Sequence, residues 1–117
     1  MELFIKRLTQ TDIGKRLAIP SNTLMHFPGF RGRHSVDVNV KDKSHRLWTF
    51  RCSIRKRSYR KPVFSSGWLE FIRRYNIRTG DKITVRKEQR DVTGVEYIIA
   101  VQRKIILLGK DVWADVL

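Results

Sequence analysis

Two runs of period two constrain this chain more than any other feature. Val36, Val38 and Val40 alternate with Asp37, Asn39 and Lys41. After a turn at Asp42 to His45, a second run sets Trp48, Phe50, Cys52 and Ile54 against Thr49, Arg51 and Ser53. Successive side chains on an extended strand point to opposite faces, so each run has one apolar and one polar face. Joined by a short polar turn, the two predict an antiparallel hairpin with one face buried.

The remaining patterns are shorter. Met1 to Leu8 reads as a first strand and Leu17 to Ile19 as a second, stopped by Pro20. Thr9 to Arg16 between them is a polar loop with Gly14 as its flexible point. Ser21 is placed to N-cap a short helix that turns Leu24, Met25 and Phe27 inward before Pro28 and Gly29 end it. Val63 and Phe64 precede a helical stripe of Trp68, Leu69, Phe71 and Ile72, which Ser65 or Ser66 can cap. Thr79 to Asp81 turns into an alternating strand with Ile83 and Val85 inside, and Asp91 to Gly94 is the next turn. Val95 to Val101 is apolar enough to be covered on both faces, and Lys104 to Leu108 reads as a further strand. Val112, Trp113, Val116 and Leu117 are available to cover a barrel end. About seven short strands and two short helices predict a mainly β fold, a small barrel with minor α, rather than a βαβ sheet.

Charge then restricts the partner. The 117 residues carry a formal net charge of +14, and Arg51, Arg55, Lys56, Arg57, Arg60 and Lys61 fall between residues 51 and 66 with no acid among them. Like charges repel, and each would have to be desolvated to enter a core, so this run faces water or something negative. Nucleic acid fits such a surplus, with an anionic membrane surface as the competing partner. No apolar run approaches the roughly 18 residues of a transmembrane helix, and the N-terminus lacks a signal peptide's layout. Trp48, Phe50 and Trp68 lie in phase with apolar neighbours and read as core, not as an exposed stacking platform.

Enzyme chemistry finds little support. His26, His34 and His45 are scattered, no CxxC or HxxxH occurs, and no carboxylates are spaced to hold Mg²⁺. The single cysteine, Cys52, sits on the apolar phase of its strand and forms no intrachain disulfide, which suits a reducing compartment. No metal, no cofactor and no small-molecule substrate are expected.

Taken in order, FIKRLTQTDIGKRLAIP at 4–20, HFP at 26–28, LWTFRCS at 47–53, SGWLEFI at 66–72 and GDKI at 80–83 resemble the plant B3-type DNA-binding domain. The resemblance covers about residues 3 to 101. It implies a seven-stranded open pseudobarrel with two short helices, spanning residues 1–103, with 104–117 as a C-terminal extension packed on the barrel. It also implies two arms that grip the major groove of double-stranded DNA, as in a nuclear regulator of plant transcription. The first arm corresponds to the loop Thr9 to Arg16, whose candidate contacts are Thr9, Gln10, Thr11, Lys15 and Arg16. The second lies between the fourth and fifth strands, with candidates Arg51, Arg55, Lys56, Arg57, Ser58, Tyr59, Arg60, Lys61 and Ser65. Arginine forks suit guanine edges, and lysines suit phosphates. Ser58 and Tyr59 are separated from the next strand by Arg60, Lys61 and Pro62, where many relatives have no such spacer. Asp12 is expected to brace its loop through backbone amides. Two other readings stay open: the DNA-targeting module of a restriction-type enzyme, and a basic RNA- or chromatin-binding module without sequence preference.

Overall fold

Strands β3 (Ser35–Asp42) and β4 (Leu47–Ser53) form the expected hairpin, with Val38 opposite Phe50 and Val40 opposite Trp48. Val38, Val40, Phe50 and Cys52 are fully buried, as the period-two pattern requires. The computed structural model describes residues 1–54, 61–90, 92 and 94–117. Around the hairpin lie β1 (Glu2–Arg7), α1 (Gln10–Gly14), β2 (Leu17–Ala18), a 3₁₀ turn (Ser21–His26) and β5 (Val63–Phe64). The chain continues through α2 (Trp68–Arg74), β6 (Lys82–Arg90), β7 (Gly94–Leu107) and β8 (Lys110–Asp115).

The sheet order is β1-β6-β7-β3-β4-β5-β2, with β8 added on β7. Neighbours pair antiparallel except β3 with β7, which run parallel from Val40 and Tyr97 to Asp42 and Ile99. Because β1 and β2 end the order without pairing to each other, the seven strands curl into an open half-barrel, the expected pseudobarrel. Its interior is aromatic. Phe50 meets Phe64, Trp68 and Phe71 at centroid distances of 5.2 to 5.6 Å, and Phe27 joins through Phe64 and Tyr97. Trp48, Phe50 and Trp68 are therefore core residues.

Several local expectations are corrected. Thr9 to Arg16 contains the helix α1 rather than a plain loop, and Gly14 has neither a left-handed φ nor a close neighbour. Ser21 lies inside the 3₁₀ turn, after Pro20 at the cap position, and no side chain caps it. Residues three apart share a face of such a turn. Leu24 and Phe27 thus pack inward while Met25 is left 79% exposed.

Neither Ser65 nor Ser66 caps α2. Gly67 takes the cap position at φ 87°, and a β-carbon there would stand 2.2 Å from the Thr49 carbonyl oxygen. Only glycine fits, because both the backbone angle and the space exclude a side chain.

The expected strand Lys104 to Leu108 is the uninterrupted end of β7. That strand buries Tyr97, Ile99 and Val101 and leaves Ile98 and Ala100 only half-covered, so it is fully buried on one face rather than two. In the tail, Val116 and Leu117 do pack on the core. Trp113 instead lies on β8 beneath the cations Arg7 and Lys82, 5.5 and 4.4 Å from its ring centre.

Candidate nucleic-acid interface

The first arm is fastened from below. Thr9 N-caps α1 in a reciprocal capping box: its Oγ1 accepts from the Asp12 amide (3.3 Å), and its own amide donates to Asp12 Oδ2 (2.8 Å). Asp12, 2% exposed, also accepts from Lys6 Nζ (2.9 Å) and from the Ala18 amide (3.3 Å). Burial works to raise its pKa, but the hydrogen bonds from Thr9, Lys6 and Ala18 outweigh it and hold the carboxyl below its ordinary value. From the other side, Trp68 Nε1 donates to the Asp12 carbonyl (2.7 Å). Asp12 thus braces the arm through backbone amides, as expected, and ties it to β1, β2 and α2.

That bracing sorts the arm's side chains. The Thr9 hydroxyl is engaged inward, since it also donates to Asp12 Oδ2 (2.9 Å). Gln10, Thr11, Lys15 and Arg16 are exposed.

The second arm is described at its two roots. Ile54 at the end of β4 donates its amide to the His34 carbonyl (2.9 Å), and the Pro62 carbonyl accepts from Ile19 (3.0 Å). Lys61 is exposed beside the buried Pro62. Arg55, Lys56, Arg57, Ser58, Tyr59 and Arg60 lie outside the described residues. Arg51 is on the outer face of β4, with its Nε 3.6 Å from Asp37 Oδ1. Ser65 Oγ donates to the Arg51 carbonyl (3.3 Å) and lies 3.4 Å from Ser53 Oγ, which pins β5 to β4.

The fold brings the two arms together. Thr11 and Arg16 of the first line one cavity of about 380 Å³ with Ser21 and with Lys61 and Pro62 of the second. Pairing of β2 with β5, Leu17 opposite Phe64 and Ala18 opposite Val63, makes this possible. A second cavity, of about 700 Å³, joins Arg51 to Arg31, Arg33 and Phe30. Sequence reasoning had treated Arg31 and Arg33 as dispersed surplus charge. Their grouping with Arg51 depends on how the chain before β3 folds beside β4, and no local pattern signals that.

Among the described residues, Lys15, Arg16, Arg31, Arg33 and Lys61 form no ion pair. Five exposed, unneutralised cations at one end of the barrel attract an extended polyanion. Cys52 offers no competing chemistry there. Burial pushes its thiol up to about 11, so it stays protonated at neutral pH.

Comparison with known proteins agrees with this geometry. The model of the B3 DNA binding domain family matches residues 4–104. The AP2/ERF and B3 domain-containing transcription factor RAV1 of Arabidopsis thaliana is 35% identical over 88 residues, which is 70% of this chain and 25% of that protein. The chain spans about a quarter of the length of the curated relatives it matches. Among solved structures, the Arabidopsis FUS3-DNA complex superposes with a TM-score of 0.72 at 20% identity, covering 88% of this chain and 98% of that one. The Arabidopsis thaliana LEC2-DNA complex gives a TM-score of 0.70 at 19% identity over 86% of this chain and 92% of that one. These likenesses establish the shared fold, and the family match spans nearly the whole barrel: the chain belongs to the B3 DNA binding domain family.

Proposed function

We propose that this chain binds double-stranded DNA sequence-specifically as part of a plant transcription regulator acting in the nucleus, by binding rather than by catalysis. The observation that carries the reading is the convergence of two separate arms on one cavity, with the exposed cations Arg16 and Lys61 unpaired among the described residues. Both arms enter the major groove. Gln10, Thr11 and Lys15 of the first reach phosphates or base edges, and Lys56 and Lys61 of the second sit on phosphates. Arg55, Arg57 and Arg60 supply the guanidinium forks that read guanine. Arg51 and Ser65 stand at the root of the second arm, where they set its direction and meet the backbone. Residues 104–117 serve as an extension of the recognition barrel. Curated relatives described as a transcription factor and a transcription repressor support the regulatory role.

Random-site selection on duplex oligonucleotides tests the reading. One enriched motif is expected, with duplex binding whose log K falls against log salt at a slope of roughly −5 if about six phosphates are neutralised. Recovery of no motif, or equal competition by RNA and random duplex, would overturn it.

A further inference from the structure

We infer that the cavity formed by Arg31, Arg33 and Arg51 is a second phosphodiester site, which seats the DNA backbone on the outer flank of the second arm. This rests on the duplex-binding reading above and extends the contact surface beyond the two arms.

The site is built by a tight turn. Arg33 donates its amide to the Phe30 carbonyl (2.9 Å), and the residues between them, Arg31 at φ 51° and Gly32 at φ 78°, are both left-handed. Arginine adopts that conformation less readily than glycine or asparagine, yet the turn is built around one. It places two arginines beside a third, Arg51, over a cavity of about 700 Å³ floored by Phe30 and Val36, which pack on the core. That volume admits a sugar-phosphate unit. Three guanidiniums face one carboxylate, Asp37, which lies against Arg51. A guanidinium's planar fork suits phosphate oxygens, and Arg31 and Arg33 have no acidic partner among the described residues to compete for it.

Position supplies the rest of the argument. In the order β3-β4-β5-β2, the second arm leaves between β4 and β5. The cavity of Arg16 and Lys61 lies on its β2 side, and that of Arg31, Arg33 and Arg51 lies on its β3 side. The bond from Ile54 to the His34 carbonyl ties the arm's root to the turn segment. A major groove about 12 Å wide that admits an arm carries a phosphate strand along each side. The two cavities are placed to receive one strand each.

Fluorescence anisotropy of the whole chain on duplexes bearing its selected site tests this. Arg31→Asn combined with Arg33→Ala keeps a turn that tolerates positive φ. On a duplex with long flanks it should make the salt slope shallower by roughly 2, about 0.9 for each phosphate lost. R31K/R33K should keep most of the slope. On a duplex trimmed to the base pairs the arms contact, wild type and R31N/R33A should coincide. An unchanged slope for R31N/R33A on the long duplex, or an equal loss on the trimmed one, would overturn the second site and leave the two-arm reading standing. Failure of the wild type to bind any duplex would remove both.

Discussion

Cations at the arm end and cations along β6, β7 and β8 are the same residue types in opposite circumstances. On the β7 side, Arg103 holds Asp81 in a two-pronged contact, Nε to Oδ1 at 3.0 Å and a terminal nitrogen to Oδ2 at 2.8 Å. Lys104 meets Asp111 at 3.1 Å, Arg86 meets Glu88 at 3.1 Å, and Lys41 meets Glu96 at 2.9 Å. At the arm end, Lys15, Arg16, Arg31, Arg33 and Lys61 are exposed without an acid among the described residues. The one deeply buried acid there, Asp12, is turned inward to Lys6. A net charge of +14 is thus less a property of the whole surface than a question of where the acids were placed.

If that contrast is right, acids on the two sides should matter in different ways. The largest effect is expected from Asp12→Ala, which strips Lys6 and two backbone amides of their acceptor beneath the first arm. Chemical denaturation should show a loss of about 3 kcal/mol, accompanied by weaker duplex binding. Binding that survives intact would mean the arm does not need its brace. Arg103→Ala should come next. It leaves Asp81, 3% exposed, with the Arg78 amide (2.8 Å) as its remaining described partner, at about 2 kcal/mol. Its duplex salt slope should match wild type, and a shallower slope would erase the distinction between the two sides.

The smallest effect concerns pH. Asp12 and Asp42 both have lowered pKa values. For Asp42, burial works to raise the value, and hydrogen bonds from the Tyr75 hydroxyl, Trp48 Nε1 and the Arg46 and Ser44 amides outweigh it. A depressed carboxyl contributes stability above its unfolded value and loses it as pH falls through the folded one. The melting temperature should therefore hold through neutral pH and drop below about pH 4. In Asp12→Ala the drop should be shallower, and an identical acid profile would discount Asp12 as a contributor.

Much of the fold was legible because it is local. Alternation announced β3 and β4, and the Trp68, Phe71 and Ile72 stripe announced α2. Helix α1 was legible too, in the Thr9 and Asp12 spacing of a capping box, but Gly14 and the polar composition suggested a loop. Met25 was misplaced because the turn runs at three residues per turn rather than 3.6. Within the site, Lys15, Arg16 and Lys61 could be read from charge alone. That Thr9 is occupied by its own cap, and that Arg31 and Arg33 join Arg51, could not.

What the sequence determined by itself was the strand alternation, the aromatic core and the excess of positive charge, since these follow from side-chain type and the stereochemistry of an extended chain. The tertiary structure decided which cations remain unpaired, why Gly67 must be glycine beneath the Thr49 carbonyl, and which residues from distant segments share a cavity. Those outcomes depend on pairings such as β2 with β5 and β3 with β7, whose partners lie far apart in the chain and whose register is set by the packed core.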